Sequence, residues 1–262
     1  MNIGKHEIHI WFAHDREITS PKLILDYQSM LNDAERHQYQ RFYFEKHRHQ
    51  YLVTRALVRT TLSHYYNIIN PGQWLFIKNH YGKPAIGNNI NLPLQFNLSH
   101  SEGMIVMAVT LMNAVGVDIE WTLRNGQSVE IAEKFFSPEE VAQLYKLPEQ
   151  HQRERFFELW TLKEAYIKAF GKGLSIPLDQ FSFSFLKDQI GISFGPNWQD
   201  QPENYAFWQL QPNSSHKAAL ALKSDITVSK EYSLHFKKTV PMQHISEINL
   251  PYFPGPRLAS LT

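Results

Sequence analysis

The stretch from Leu92 to Trp121 constrains the fold most, because its apolar residues come in short runs of period two, separated by turn residues, a spacing that paired strands satisfy. Leu94–Leu98, Met104–Leu111 and Ala114–Trp121 read as three strands of an antiparallel meander. The turns fall at His100-Ser101-Glu102-Gly103 and at Met112-Asn113. If the last two strands pair across the second turn, Glu120 stands opposite roughly position 105 and Asp118 opposite about 107.

Helical patterns flank this unit. Asn32 to Tyr66 reads as one helix, capped by Asn32 or Asp33 with Glu35 close behind. In it Arg36, Arg41, Lys46, Arg48, Arg55 and Arg59 interleave with Phe42, Tyr51, Leu52 and Leu57, which predicts an apolar face and a solvated cationic one. Ile131 to Leu147 is helical with a fresh start at Ser137-Pro138, and a further helix over Gln152–Phe170 stops at Gly171-Lys172-Gly173. Ile8–Ala13 and Phe181–Phe185 have strand character. With 262 residues, 43% hydrophobic, the chain suits one compact unit or two small halves. Two echoes favour halves: Arg55-Ala56-Leu57-Val58-Arg59 with Glu164-Ala165-Tyr166-Ile167-Lys168, and Tyr81-Gly82-Lys83 with Phe170-Gly171-Lys172. The first strand would then correspond to Val115–Glu120.

Lys and Arg total 26 against 25 acids, so a net charge of +1 gives no global field for a nucleic-acid backbone, and an anion site must be local. Without cysteine there is no disulfide, thiolate metal ligand or thiol nucleophile. The opening MNIGKHEIHIWFAHD has no apolar stretch long enough for a signal sequence, and a cytoplasmic protein is expected.

Strand alternation puts Val115, Val117 and Ile119 on one face and Asp118 and Glu120 on the other. Two carboxylates side by side repel unless a cation sits between them, which suits a hard, oxygen-liganded metal; a plain wet strand face is the alternative. Glu164 and Lys168 share a helix face, either as an exposed ion pair or as a metal ligand or base with a phosphate contact. Ser99 and His100 fall at the same end of the meander as the acids, and Lys83 adds a cation on the Gly82-Lys83-Pro84 turn. Three carboxylates, a Ser-His pair and several cations suit phosphoryl chemistry. A metal-dependent nucleotide hydrolase would use the same acids. A non-catalytic module docking an acidic partner or RNA through the basic helix would need none of them.

Gly82-Lys83-Pro84, Phe96-Asn97-Leu98-Ser99-His100-Ser101, Gly116-Val117-Asp118-Ile119-Glu120, Phe135-Phe136-Ser137 and Trp160-Thr161-Leu162-Lys163-Glu164-Ala165-Tyr166-Ile167-Lys168, followed by Gly171-Lys172-Gly173-Leu174, resemble in order and spacing the signature of surfactin-type 4'-phosphopantetheinyl transferases. The resemblance spans roughly residues 30 to 185. It implies an α+β pseudo-dimer of two similar halves with the active site in the cleft between them: residues 1–112, then 113–225 carrying the metal-binding motifs, with 226–262 as an extension of unknown role. It implies that Asp118, Glu120 and Glu164 hold Mg²⁺, with Mn²⁺ as the alternative ion. Glu164, Lys168 and Asp118 would be catalytic. Lys83, Ser99, His100 and Lys168 would bind coenzyme A, the co-substrate, and Arg36, Arg41, Arg48 or Arg55 would stand in for lysines that some members carry where this chain has Glu35 and Gln38. A monomer acting on an apo-acyl or peptidyl carrier protein, with no nucleic acid or membrane, is expected. The carrier would dock on an exposed apolar patch near Phe135, Phe136 and the loop before Glu149.

Overall fold

The computed structural model describes residues 1–124, 129–186, 189–224 and 232–253. In chain order they form β1 (Glu7–Ala13), α1 (Pro21–Ser29), α2 (Asp33–Arg41), α3 (Glu45–Tyr65), β2 (Phe76–Lys78), β3 (Pro84–Ile86), β4 (Leu94–Ser101), β5 (Met104–Leu111) and β6 (Ala114–Trp121). Then come α4 (Ala132–Phe135), α5 (Pro138–Lys146), α6 (Glu149–Phe170), β7 (Phe181–Leu186), β8 (Gln189–Phe194), β9 (Tyr205–Asn213), β10 (His216–Lys223), β11 (Ser233–Val240), β12 (His244–Ile248) and β13 (Tyr252–Phe253).

Two sheets carry the architecture, with strand orders β12-β11-β1-β5-β4 and β13-β9-β10-β6. They pack face to face. Ile8, Ile10, Phe12, Met104, Val106 and Ala108 of the first meet Val115, Val117, Ile119, Trp208, Leu210 and Leu220 of the second in one buried layer. The outer face of the first sheet buries Trp11, Met107 and Val109 against Leu57, Val58 and Leu62 of α3. That of the second buries Ala219, Ala221 and Phe207 against Leu162, Ala165 and Tyr166 of α6. Helix, sheet, sheet and helix thus form four layers, and β5, covered on both sides, is buried at every position.

Each half repeats one pattern. In the first, β1 leads into α3, and the hairpin β4-β5 returns so that β5 lies beside β1; in the second, β6 leads into α6, and the hairpin β9-β10 returns so that β10 lies beside β6. The small hairpins β2-β3 and β7-β8 follow the two long helices in the same relative place. The fold is therefore the α+β pseudo-dimer expected, and β1 does correspond to β6.

Several local expectations change. β6 does not pair with β5: both edges of β5 are taken by β1 and β4, so Met112, with φ 65°, and Asn113 carry the chain across into the other sheet. Asp118 accordingly stands opposite Ala219 and Glu120 opposite Lys217. The expected helix from Asn32 to Tyr66 breaks into α2 and α3, because Phe42 and Phe44 adopt extended backbone and Phe42 turns to pack on Tyr51. Its cationic face is solvated only in part: Arg36, Arg41 and Lys46 are exposed, whereas Arg59 is fully buried and, with Arg55, pairs with Glu35, the capping-box residue of α2. Gly82, between β2 and β3, and Gly171, at the end of α6, do not occupy equivalent places, although Asn79 of the same turn as Gly82 donates its side-chain N–H to the Gly171 carbonyl at 2.7 Å. Phe136 lies in the second core, stacked on Phe156, while Phe135 is half-buried edge-on to Trp160. Beyond Ser224, β11 and β12 complete the first sheet, β11 running parallel to β1, while residues 226–231 and 254–262 of the expected extension lie outside the described residues. Among the described residues no helix is long and apolar enough to cross a membrane.

Candidate active site

The site forms where an edge strand of each sheet meets the other. β4 and β6 share no ladder; alternate side chains of β4 reach across instead. The Val117 N–H donates to Asn97 Oδ1 at 2.9 Å, Ser99 Oγ donates to Asp118 Oδ1 at 2.9 Å, and the Trp121 N–H donates to Ser101 Oγ at 2.9 Å. Period-two alternation aims Asn97, Ser99 and Ser101 the same way, and they supply what a neighbouring strand would otherwise give.

On the outer face of β6 lies α6, held close by the absence of a side chain at Gly116. A Cβ there would stand 2.0 Å from the Ala165 carbonyl oxygen and 2.3 Å from the Ala169 nitrogen. This approach delivers Glu164 and Lys168 to the strand. Lys168 Nζ donates to Asp118 Oδ1 at 2.7 Å, Ser99 Oγ at 3.0 Å and the Val117 carbonyl at 3.2 Å. Glu120 accepts from Arg124 at 3.1 Å.

The acids are strained electrostatically. Burial first, then the Asp118 carboxylate, push Glu164 up to about 7, with Glu120 adding to the rise and Lys168 opposing it. Burial and Asp118 likewise raise Glu120, against Arg124 and Lys168. Asp118 is 4% exposed, and its Oδ2 is shielded from solvent without a hydrogen-bond partner. An orphaned carboxylate oxygen beside two acids of raised pKa is a donor set for a hard divalent cation, and these residues fit one. Their oxygens do not all lie within 4.8 Å of one another, so binding such an ion requires Lys168 and Arg124 to yield.

A cavity of about 630 Å³ opens between the N-terminal turns of α3 and the β4-β5 turn, lined among others by Asp15, Lys46, His47, Arg48 and Gly103. Arg48 donates to the Phe42 carbonyl at 2.7 Å while its Nε, also buried, has no partner. His100 is on β4 rather than in the turn; partial burial and then Lys168 lower its pKa, with Asp15 and Asp118 opposing.

Three further predicted contacts lie apart from that cavity. Arg36 donates to the Leu31 carbonyl at 3.2 Å, Arg55 pairs with Glu35 over the Phe76 ring, and neither lines the cavity. Lys83 is held at the other end of β6, donating to the carbonyls of Val115 and Ala169 at 3.2 Å each; burial and Lys223 lower it to about 8. Sequence reasoning missed Asn97 and Ser101, although their spacing with Ser99 was visible, and missed Arg124, which pairs with Glu120. It also left out Lys46, His47 and His49, for which a cluster of bases at the start of α3 was the available signal.

Comparison with known proteins gives matches over most of the chain. The profile described as the 4'-phosphopantetheinyl transferase superfamily matches residues 114–223, and that described as 4'-phosphopantetheinyl transferase, N-terminal, matches residues 19–112. The chain is 34% identical over 221 residues to 4'-phosphopantetheinyl transferase HetI of Nostoc sp., covering 82% of this chain and 87% of that one. It is 36% identical over 168 residues to 4'-phosphopantetheinyl transferase Sfp of Bacillus subtilis, covering 63% of this chain and 72% of that one. A phosphopantetheinyl transferase of Thraustochytrium sp. is 28% identical over 226 residues, covering 81% and 75% respectively.

Proposed function

We propose that this chain, which belongs to the 4'-phosphopantetheinyl transferase superfamily, transfers the 4'-phosphopantetheine moiety of coenzyme A to a serine of an apo-acyl or peptidyl carrier protein, releasing 3',5'-ADP. The observation that carries the chemistry is the unpartnered Asp118 Oδ2 beside Glu164, whose carboxyl is held near 7.

In this reading Asp118, Glu120 and Glu164 hold Mg²⁺, or Mn²⁺ in its place, which when bound offsets the charge of the coenzyme A pyrophosphate. The chain's own residues do the rest. Arg48, whose Nε has no hydrogen-bond partner, and its neighbours take the nucleotide into the cavity beside α3. His100 and Ser99 receive phosphate oxygens. Lys168, already shared between Ser99 and Asp118, exchanges the carboxylate for the bridging oxygen and stabilises charge as it leaves. The carrier serine Oγ forms a bond to the β-phosphorus as the bond to that oxygen breaks, and the hydroxyl proton passes to a base, for which Glu164 is the candidate. Arg36, Arg55 and Lys83 have structural tasks first: two brace α2 against its surroundings, and Lys83 ties the first half to the second. The protein acts as a cytoplasmic monomer needing neither nucleic acid nor membrane.

Incubation with coenzyme A, Mg²⁺ and an apo-carrier protein, read by intact mass, tests this. A phosphopantetheine increment on the carrier is expected, and Asp118→Ala or Glu164→Ala lowers its rate by about 10² to 10³. An unmodified carrier, or coenzyme A cleaved equally fast without carrier, would overturn the proposal.

A further inference from the structure

A second cluster of ligating groups lies on the first sheet, on the face turned toward α3. Glu7 and His9 are two apart on β1 and so project to one side. His235 is the register partner of His9 on the parallel strand β11 and joins them there. Each offers one ligand atom, and the three atoms lie within 4.8 Å of one another. The two imidazoles meet edge to face at 5.1 Å.

The surroundings are built as an outer shell is. His9 is 4% exposed, and its Nδ1 lies 2.7 Å from the Tyr65 hydroxyl, which also accepts the Trp11 indole N–H at 2.9 Å. His9 Nε2 lies 3.3 Å from Glu7 Oε2; in the tautomer whose Nδ1–H donates to Tyr65, the phenol oxygen accepting a second hydrogen bond, the Nε2 lone pair is free to take an ion shared with that carboxylate. The Gly4 N–H donates to that same carboxylate oxygen at 2.8 Å and fixes it. His235 Nε2 is shielded from solvent without a hydrogen-bond partner. A polar nitrogen left unsatisfied beside another imidazole and a carboxylate asks for a Lewis acid. Lys237, the next residue on this face of β11, pairs with Glu247 at 2.8 Å, which tempers its charge toward an incoming cation.

We propose that Glu7, His9 and His235 form a site for a divalent transition metal of the zinc class, distinct from the carboxylate site and clasping β1 to β11. Two imidazole nitrogens and one carboxylate oxygen select Zn²⁺ or Co²⁺ over Mg²⁺, which prefers oxygen donors alone. The ion joins two strands more than 220 residues apart in sequence, and solvent supplies the remaining coordination.

Co²⁺ is the probe, since imidazole coordination gives it visible d–d bands. The full chain, freed of metal by chelation and exchanged into chelator-free buffer, is titrated with Co²⁺ alongside Asp118→Ala, Glu7→Gln and His235→Gln. One tight equivalent is expected in the parent and retained in Asp118→Ala. It weakens more than about 100-fold in His235→Gln and at least tenfold in Glu7→Gln, whose half-exposed side chain can change without loss of fold. Zn²⁺ should displace Co²⁺, and Mg²⁺ in large excess should not. Absence of a tight equivalent in Asp118→Ala, or binding unchanged in both Glu7→Gln and His235→Gln, would overturn the assignment.

Discussion

Gly116→Ala tests how closely the site depends on the seat of α6. The added methyl would stand 2.0 Å from one helix backbone atom and 2.3 Å from another, where ordinary contact begins near 3.4 Å, so α6 must withdraw by more than about 1 Å. Overpacking typically costs about 1–3 kcal/mol; because both opposing atoms are backbone, the upper figure, about 3 kcal/mol, is expected. With a urea slope of roughly 2 kcal/mol/M, the unfolding midpoint falls by about 1.5 M. The same withdrawal moves Glu164 and Lys168 away from Asp118, now 2.7 Å from Lys168 Nζ. Misplacement of that size costs on the order of 10² in rate, so transfer measured under conditions where the variant stays folded should drop by about that factor. Gly72→Ala is the control: nothing but the Met30 Cα, at 3.9 Å, approaches its Cβ position, and a change within about 0.5 kcal/mol is expected. An unaltered midpoint and rate in Gly116→Ala would refute the reasoning.

Three other outcomes follow from the buried charges. Glu164 has its pKa raised from 4.5 to about 7 on folding, so its favourable contribution is complete below 4.5 and disappears as pH climbs through 7. In chelator-treated protein Glu164→Gln should therefore match the parent near pH 4.5 and become the more stable of the two by about 2–3 kcal/mol at pH 8; parallel stability curves would contradict this. Lys163→Met removes the partner of Glu140 from a pair that is 0% and 2% exposed, and urea unfolding should show a loss of about 3–5 kcal/mol, which a change below 1 kcal/mol would disprove. Arg48→Ala should raise the KM for coenzyme A about tenfold with kcat little changed, whereas Arg55→Ala should act chiefly on stability; steady-state kinetics with both variants decides.

The readable parts of the fold were those governed by local chemistry. Ser137 and Glu140 form the capping box that their spacing announces, and Gly171, with φ 86°, ends α6 where a left-handed cap was expected. The alternation over 115–120 placed Asp118 and Glu120 on one face and three apolar residues on the other, as found. Pairing was less legible, because period two says which way a side chain points but not which strand lies alongside; β5 and β6 alternate alike yet belong to different sheets. The fate of the cations was less legible still. Arg48 and Arg55 sit on one helix within a few residues, and only the position of Glu35, delivered by the break at Phe42–Phe44, sends one inward and leaves the other beside the cavity. Such a choice is made by tertiary packing, not by anything a window of sequence contains.

The pairing of β1 with β11 has a consequence for how the molecule is made. His6 and Ser233, which bond at this junction, are separated by 227 positions, so at translation rates of roughly 5–20 residues per second β1 waits about 10 to 45 s for its neighbour to be synthesised. Until then the first sheet has only β5 and β4 beside β1, and the other edge of β1 stays unpaired. The second half, whose helix and other strands are consecutive from β6 to β10, can form most of its sheet sooner, with only the two-residue β13 joining β9 after β11 and β12 have been made.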